Sequence, residues 1–462
     1  MPDLLLALSE TVSPSAAFLR FDSFLQRLPA GVQLFSMFTT NPQLLRILAD
    51  IMGTAPMLAE ILSRHPSLLE RILIGDMDAP LGSVPALSGA LALELQSCEQ
   101  FEDVLTRAQR WVNDRKFQVG VQILRGTTDG EHAAEALTNL AEATVIQAHN
   151  ATAEYFASAH GHLARGGMAI VGLGKLGGRE MTVGSDLDLV FVYDEVDPVA
   201  MSDGPKPLAA STYFARLSQR LIAAITAPTG EGTLYEVDMR LRPSGNAGPI
   251  ACSLEAYRRY HEKNAWTWEH MALIRARVVS GPPDLIGKVE NTIRDTLIQP
   301  RDPDQLLHDV AEMRARVLTE KAPQSPWDVK LIPGGLLDIE FIIQYLQLRH
   351  ASHEPEILSP EIEIALARLE HFGFLSSGDT EILRENGRFF RRIQGLQRLT
   401  TGDHVSPRNS SQGVLMRFAK EAGEKTQPGD VDFDALEQIL QLKADQTRAV
   451  FERLVANPAN LP

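Results

Sequence analysis

The chain has 462 residues, 44% hydrophobic and 22% charged. That composition fits a globular protein of roughly two to four domains, at about 150 residues each, and excludes disorder over most of the length. Lys and Arg number 44 against 59 Asp and Glu, a net charge of −15. A surface that acidic repels phosphate backbones and anionic lipid, so neither nucleic acid nor membrane is expected as a partner, and only a local basic pocket for a nucleotide remains open. Cys98 and Cys252 are too few for a disulfide framework or a zinc site and point to a reducing cytoplasm. The opening MPDLLLALSE has Asp3 and Glu10 where a signal peptide is basic, and no apolar run reaches the ~18–20 residues of a membrane span.

Helical text leads. NPQLLRIL, APMLAEIL and HPSLLERIL each place a proline (Pro42, Pro56, Pro66) where it can be the first helical residue. Leu68, Leu69, Ile72 and Leu73 then share one helical face. The three starts are unevenly spaced, which favours short packed helices over a solenoid. DMDAPLGSVPALSG (76–89) is the first expected boundary, and helix resumes from 90 to 164. MAIVGLG (168–174) and SDLDLVFVY (185–193) read as buried strands. Phe214, Leu217, Leu221 and Ile225 mark a helix packing one face, and GTLYEVDMRLRP (232–243) alternates as a strand. After 303 the pattern stays helical, with Ile339, Ile342, Ile343 and Leu346 on one face and Phe433, Leu436 and Leu440 on another. The fold class is α+β, in three expected parts: a helical leader (1–98), a compact α/β unit (99–302) and a C-terminal helical bundle (303–462).

Gly172-Leu-Gly174-Lys-Leu-Gly177 matches a dinucleotide-binding fingerprint. Only eight positions separate Gly177 from Asp186, and Gly184 interrupts them, so no crossover helix fits. A paired-carboxylate site fits better. Asp186 and Asp188, at i and i+2 of a strand, point the same way and repel unless a cation lies between them. Carboxylate oxygens suit Mg²⁺ or Mn²⁺, and glycines ahead of them let backbone amides approach a phosphate. The alternative is that Asp186 caps a turn and Asp188 faces solvent. In the next strand, Tyr235, Val237, Met239 and Leu241 form an apolar face, opposite Glu236, Asp238, Arg240 and Arg242. Asp238 supplies a third carboxylate and the arginines suit phosphate oxygens, unless this is only an exposed salt-bridged face. Lys175 either meets a phosphate or solvates its loop, and Lys330 is placed to reach a nucleotide from the following domain. Trp266, Trp268, Glu269 and His270 read as a recognition box or a packed helix face. His261 and His270 lack a third ligand, and Asp338 and Glu340 suit a helix N-terminus.

GLGKLGGREMTVGSDLDLVFVY, YEVDMRLRPSGNAGPI and NAWTWEHMALIRARVV together resemble the adenylyltransferase of glutamine synthetase, as do the helical leader and DVKLIPGGLLDIEFIIQYLQL. The resemblance implies a DNA polymerase β-like nucleotidyltransferase domain (mixed sheet with helices) at 99–302, flanked by helical domains. Bifunctional members of this family carry two such domains, one adding AMP to a tyrosine of glutamine synthetase and one removing it by phosphorolysis. LRPSGNAG and AWTWEH resemble the AMP-adding C-terminal half; the removing half reads closer to LRPFGxSG and DWER. By resemblance, Asp186, Asp188 and Asp238 are the catalytic, metal-binding residues, holding two Mg²⁺ (Mn²⁺ substituting), with ATP as substrate. Gly177, Gly178 and Ser185 match the nucleotide-binding turn, with Lys175, Arg240 and Arg242 on the phosphates. Glutamine synthetase and a PII-type signalling protein are the implied partners, and regulation of nitrogen metabolism in the cytoplasm the implied role. The rivals are the phosphorolytic half, a non-catalytic PII-binding scaffold, and an RNA-directed enzyme of the same fold, which the −15 charge disfavours.

Overall fold

Proline opens most of the leading helices, since its fixed φ and missing N–H do no harm in a first turn. The computed structural model describes residues 2–9, 11, 13–28, 38, 41–164, 166–194, 197, 200–409, 412–421 and 432–459. Within it, α1 (Pro2–Ser9), α2 (Pro14–Gln26), α3 (Pro42–Thr54) and α4 (Pro56–Arg64) all begin on proline. Pro66 does not: α5 (Leu68–Leu73) starts two residues later, burying Leu68, Leu69 and Ile72. The expected boundary at 76–89 is coil only to Ser83, because Val84–Leu95 forms α6. Two long helices follow, α7 (Phe101–Arg125) and α8 (Gly130–His160), the second capped by the Asp129 carboxylate on the amides of Glu131 and His132.

The sheet begins with β1 (Met168–Gly172), a one-turn helix α9 (Gly174–Gly177) and β2 (Leu187–Tyr193). Then come α10 (Ala210–Thr226), β3 (Val237–Asp238), β4 (Ala251–Ser253), α11 (Leu254–Lys263), α12 (Thr267–Ile274), β5 (Arg277–Ser280) and α13 (Pro283–Leu297). The strand order is β3-β2-β1-β5, and β4 also pairs with β2, further along it. β1 runs antiparallel to β2 and β5, whereas β3 and β4 run parallel to β2, so the sheet is mixed. A single helical turn between antiparallel strands is incompatible with a dinucleotide-binding βαβ unit, as the short glycine-to-aspartate spacing predicts. In α10, Phe214, Leu217, Leu221 and Ile225 are all buried, each contributing about 1.5–3 kcal/mol.

One expectation fails here. The alternating stretch 232–243 is a strand only at Val237–Asp238. The Asp238 carboxylate accepts the Arg240 amide at 2.8 Å, and the Arg242 amide donates to the Met239 carbonyl at 3.2 Å. Those local bonds compete with the sheet ladder and turn the chain away.

The rest is helical: α14 (Pro303–Glu320), α15 (Leu336–His350), α16 (Ile362–His371), α17 (Ser377–Leu399), α18 (Gln412–Glu421) and α19 (Phe433–Phe451). Ile339, Ile342, Ile343, Leu346, Leu436 and Leu440 are buried as their spacing requires. The two faces of β2 separate two apolar cores. Leu187, Leu189 and Phe191 join the leading helices from Leu4 onward, so the leader shares its core with the sheet. Val190 and Val192 join the C-terminal helices as far as Val455. Among the described residues no helix is long and apolar enough to cross a membrane.

Candidate active site

Parallel pairing of β2 with β3 sets Leu187 beside Val237 and Asp188 beside Asp238. Asp186 stands one residue ahead of β2 and is exposed, while the Leu187 amide donates to the Glu236 carbonyl at 2.9 Å and ties the two chains together. The three carboxylates therefore gather at one end of β2. Burial, followed by the negative charges of Asp186 and Asp238, pushes the Asp188 carboxyl up to about 6 against the pull of Lys330 and Arg240. Asp188 does not face open solvent. Asp238 moves the other way: hydrogen bonds from Arg240 hold its carboxyl below the usual range. Arg240 Nε donates to Asp238 Oδ2 at 2.8 Å, and the guanidinium otherwise lies exposed. Among the described residues no three acidic, histidine or cysteine side chains close on a single point, and Asp238 is turned onto Arg240. The donor set still suits a hard divalent cation, because a desolvated carboxylate flanked by two like charges gains most from one.

The turn between β1 and β2 is shaped by close approach. Gly174 has φ +53, and a methyl group there would overlap the Asp188 carboxylate. A Cβ at Gly177 would overlap the Arg275 carbonyl oxygen, and one at Gly178 the Arg275 guanidinium. The amides of Gly177 and Gly178 donate to Leu173 and Gly174 carbonyls at 3.0 Å each, so they hold the turn closed. The helical turn thus uses these two amides itself, while the glycines' missing side chains are what let it pack so closely. Ser185 is buried; its hydroxyl is shared with Thr182 at 2.8 Å and accepts from Arg398 at 3.3 Å, so it braces the approach to Asp186. Arg242 folds back on its own turn, Nη1 donating to the Met239 carbonyl at 2.8 Å.

Lys175 does not solvate its loop. Its Nζ donates to Gln394 Oε1 of α17 at 3.2 Å, and burial, then repulsion from Arg398 and Lys330, lowers its pKa to about 7. Lys330 comes close enough to act on both Lys175 and Asp188. Trp266 is 71% exposed and Trp268 42%, so neither is core. Glu269 is buried, taking the Trp266 amide and the Tyr260 hydroxyl, and His270 Nε2 engages the His261 carbonyl. Asp338 lies in the first turn of α15 as expected, but there it forms a buried ion pair with Arg314, and Glu340 pairs with Arg275 at 3.2 Å.

Sequence reasoning missed Arg275. Buried between α12 and β5, it pairs with Glu180 and Glu340 and donates to the Gly174 carbonyl at 3.1 Å, clamping the glycine turn to the C-terminal bundle. The available signal was an arginine closing the apolar run MALI. Arg398 and Gln394 were missed as well, since nothing local distinguishes them on a helix.

Residues 45–292 match the family model described as glutamate-ammonia ligase adenylyltransferase, and residues 306–455 that described as GlnD PII-uridylyltransferase. A bifunctional glutamine synthetase adenylyltransferase/adenylyl-removing enzyme of Rhodopseudomonas palustris (strain TIE-1) is 39% identical over 455 residues, covering 98% of this chain and 45% of the relative. A protein of the same description from Brucella melitensis biotype 1 is 40% identical over 460 residues, 99% of this chain and 46% of the relative. One from Mesorhizobium japonicum is 46% identical over 343 residues, 74% and 35% of the two lengths. The chain spans about half the length of the first two relatives.

Proposed function

The chain belongs to the glutamate-ammonia ligase adenylyltransferase family, and on that premise we propose that it transfers AMP from ATP to a tyrosine of glutamine synthetase, releasing pyrophosphate. The observation that carries this reading is Asp188, half-buried beside Asp186 and Asp238 against a glycine turn. The mixed sheet, with its acidic β2 end, supports a nucleotidyltransferase domain of the DNA polymerase β type. Asp186, Asp188 and Asp238 would hold Mg²⁺, or Mn²⁺ in its place; when bound, such ions polarise phosphoryl oxygens and offset charge in an in-line displacement.

The chain's own groups do the rest. A tyrosine hydroxyl of pKa ~10 needs a proton acceptor at neutral pH, and a carboxylate of this cluster serves that role. Arg240, once Asp238 turns inward, is free to offset charge on the phosphates. The 239–248 turn, braced by Arg242, carries the LRPSGNAG wording that favours the AMP-adding half over the removing one. Family matches that stop at 292 and resume at 306 support dividing the chain near 302/303. We assign 99–302 to the transfer reaction, 1–98 to its helical support, and 303–462 to a bundle with a regulatory role that binds a PII-type signalling protein. Two free cysteines agree with a cytoplasmic location for this regulation of nitrogen metabolism. Incubation with glutamine synthetase, Mg²⁺ and ATP labelled at the α-phosphate should label the synthetase; an unlabelled synthetase under saturating ATP would refute the proposal.

A further inference from the structure

β3 is too short to hold itself in place. It offers only Val237 and Asp238 to the ladder with β2, and the chain turns away directly afterwards. Where Asp238 stands therefore depends on the segment that enters β3, residues 227–235 after α10. That segment belongs to no helix and no strand, and its one internal pairing is an isolated bridge between Thr229 and Gly232.

A polar stripe on α7 supplies what the ladder does not. Gln109, Asn113 and Lys116 fall at i, i+4 and i+7, on one helical face, and all three are buried. Gln109 Nε2 donates to the Ala227 carbonyl at 2.8 Å, Asn113 Nδ2 to the Glu231 carbonyl at 2.8 Å and Lys116 Nζ to the Leu234 carbonyl at 2.7 Å. Each donor precedes its acceptor by 118 positions, so the segment lies along α7 in register and in the same direction. Lys116 stands out among the three. It is 8% exposed, with its ammonium 3.7 Å from the centroid of the Tyr235 ring and no carboxylate partner among the described residues. Burial lowers its pKa to about 7. A buried cation without a counter-charge is unfavourable, and the aromatic ring offsets only part of that. Packing alone gives no reason for a lysine here, since a methionine of similar length would fill the space. The Leu234 carbonyl, four residues ahead of Asp238, does give one.

We propose that Lys116 is a positioning residue for the third carboxylate: by anchoring the Leu234 carbonyl it fixes where β3 meets β2, and so sets Asp238 beside Asp188. This rests on the AMP-transfer reading, in which Asp238 binds metal, and extends it to α7, a helix to which that reading gives no part. Asp238 can then swing its side chain from Arg240 towards a cation while its backbone stays in register.

The test is Mn²⁺ binding to the full chain, followed by loss of the free ion's paramagnetic resonance signal. Wild type, Lys116→Met, Asp238→Asn and the double variant are compared, with urea unfolding in metal-free buffer alongside. Lys116→Met should bind Mn²⁺ about tenfold more weakly, the low end for groups that orient a metal ligand from outside. Its unfolding midpoint should stay at or above that of wild type, because an unpaired buried cation has been removed. The double variant should bind no more weakly than Asp238→Asn, since the lysine acts through that carboxylate. Unchanged Mn²⁺ affinity, affinity and stability lost together, a double variant that sums the two losses, or no Mn²⁺ binding by wild type overturns the positioning role. A chain that labels glutamine synthetase while its Mn²⁺ affinity ignores Lys116 sinks this inference alone. Lys116-dependent Mn²⁺ binding without labelling upholds the positioning and sinks the transfer reading.

Discussion

Replacing Arg275 with methionine keeps much of the side chain's length and removes its charge. Arg275 is 6% exposed, and its guanidinium is shared by Glu180, Glu340 and the Gly174 carbonyl. Burial opposes its charge, but the two glutamates outweigh burial and hold the proton more tightly than usual. In the variant Glu180 keeps Arg391 at 3.4 Å, whereas Glu340 has no further ion pair among the described residues. Removing one partner from a buried charge cluster costs about 3–5 kcal/mol, and the surviving Arg391 pair places the loss near the lower end, ~3 kcal/mol. Urea unfolding of wild type, Arg275→Met, Glu180→Gln and the double variant measures it. The double variant should cost less than the sum of the singles by at least about 1 kcal/mol, because both singles break the same pair. AMP transfer should fall too, since the glycine turn rests on Arg275. A single variant within about 1 kcal/mol of wild type, or a strictly additive cycle, would refute the clamp.

Asp188→Asn should abolish AMP transfer yet leave stability within about 1 kcal/mol in metal-free buffer, as it removes a repelled charge; a parallel loss of fold and activity would contradict the assignment. His65 is buried between Asp114 and Glu231. Burial opposes the charged ring, but the two carboxylates together raise its pKa above 6.5. Its contribution to stability is therefore complete below pH 6.5 and disappears as pH rises through the higher folded value. His65→Gln should flatten that decline in unfolding free energy between pH 6 and 9 (a range of about three units around neutral), and an unchanged slope would count against the triad. Gly177→Ala drives a methyl group into the backbone carbonyls of Arg275 and Gly172, costing at least about 1–3 kcal/mol. Gly287→Ala, in open space within α13, should instead stabilise by about 0.5–1 kcal/mol; thermal melts showing the two glycines equally tolerant would contradict this.

Local signals were legible. The apolar run of β2 and the period of α10 each predict their element because burial alone selects those residues. The i, i+2 aspartates with Asp238 mark the acidic cluster, although Asp186 proves to lie just ahead of the strand. The short glycine-to-aspartate spacing predicts the tight connection that rules out a dinucleotide unit. What stayed hidden depends on competition or distance. Period-2 alternation across 232–243 could not show that Asp238 and Arg240 would divert the backbone after two strand residues. Gln394 and Arg398 reach the site across 219 and 216 positions, and the helical pattern of α17 says nothing about which turn its polar face meets. Proline placed the starts of α3 and α4 but not α5, where the Pro66 turn precedes the helix proper.

The central claim is the direction of transfer, and one paired assay tests it. Unmodified glutamine synthetase is offered with Mg²⁺ and ATP labelled at the α-phosphate; AMP-modified synthetase is offered separately with orthophosphate, free of pyrophosphate. A site built to release pyrophosphate does not thereby position orthophosphate against a tyrosyl-AMP phosphorus, whereas pyrophosphate itself should drive the reverse reaction. Ready labelling is expected in the first tube and slow or undetectable ADP in the second. Efficient ADP formation from modified synthetase, with no transfer from ATP, would contradict it.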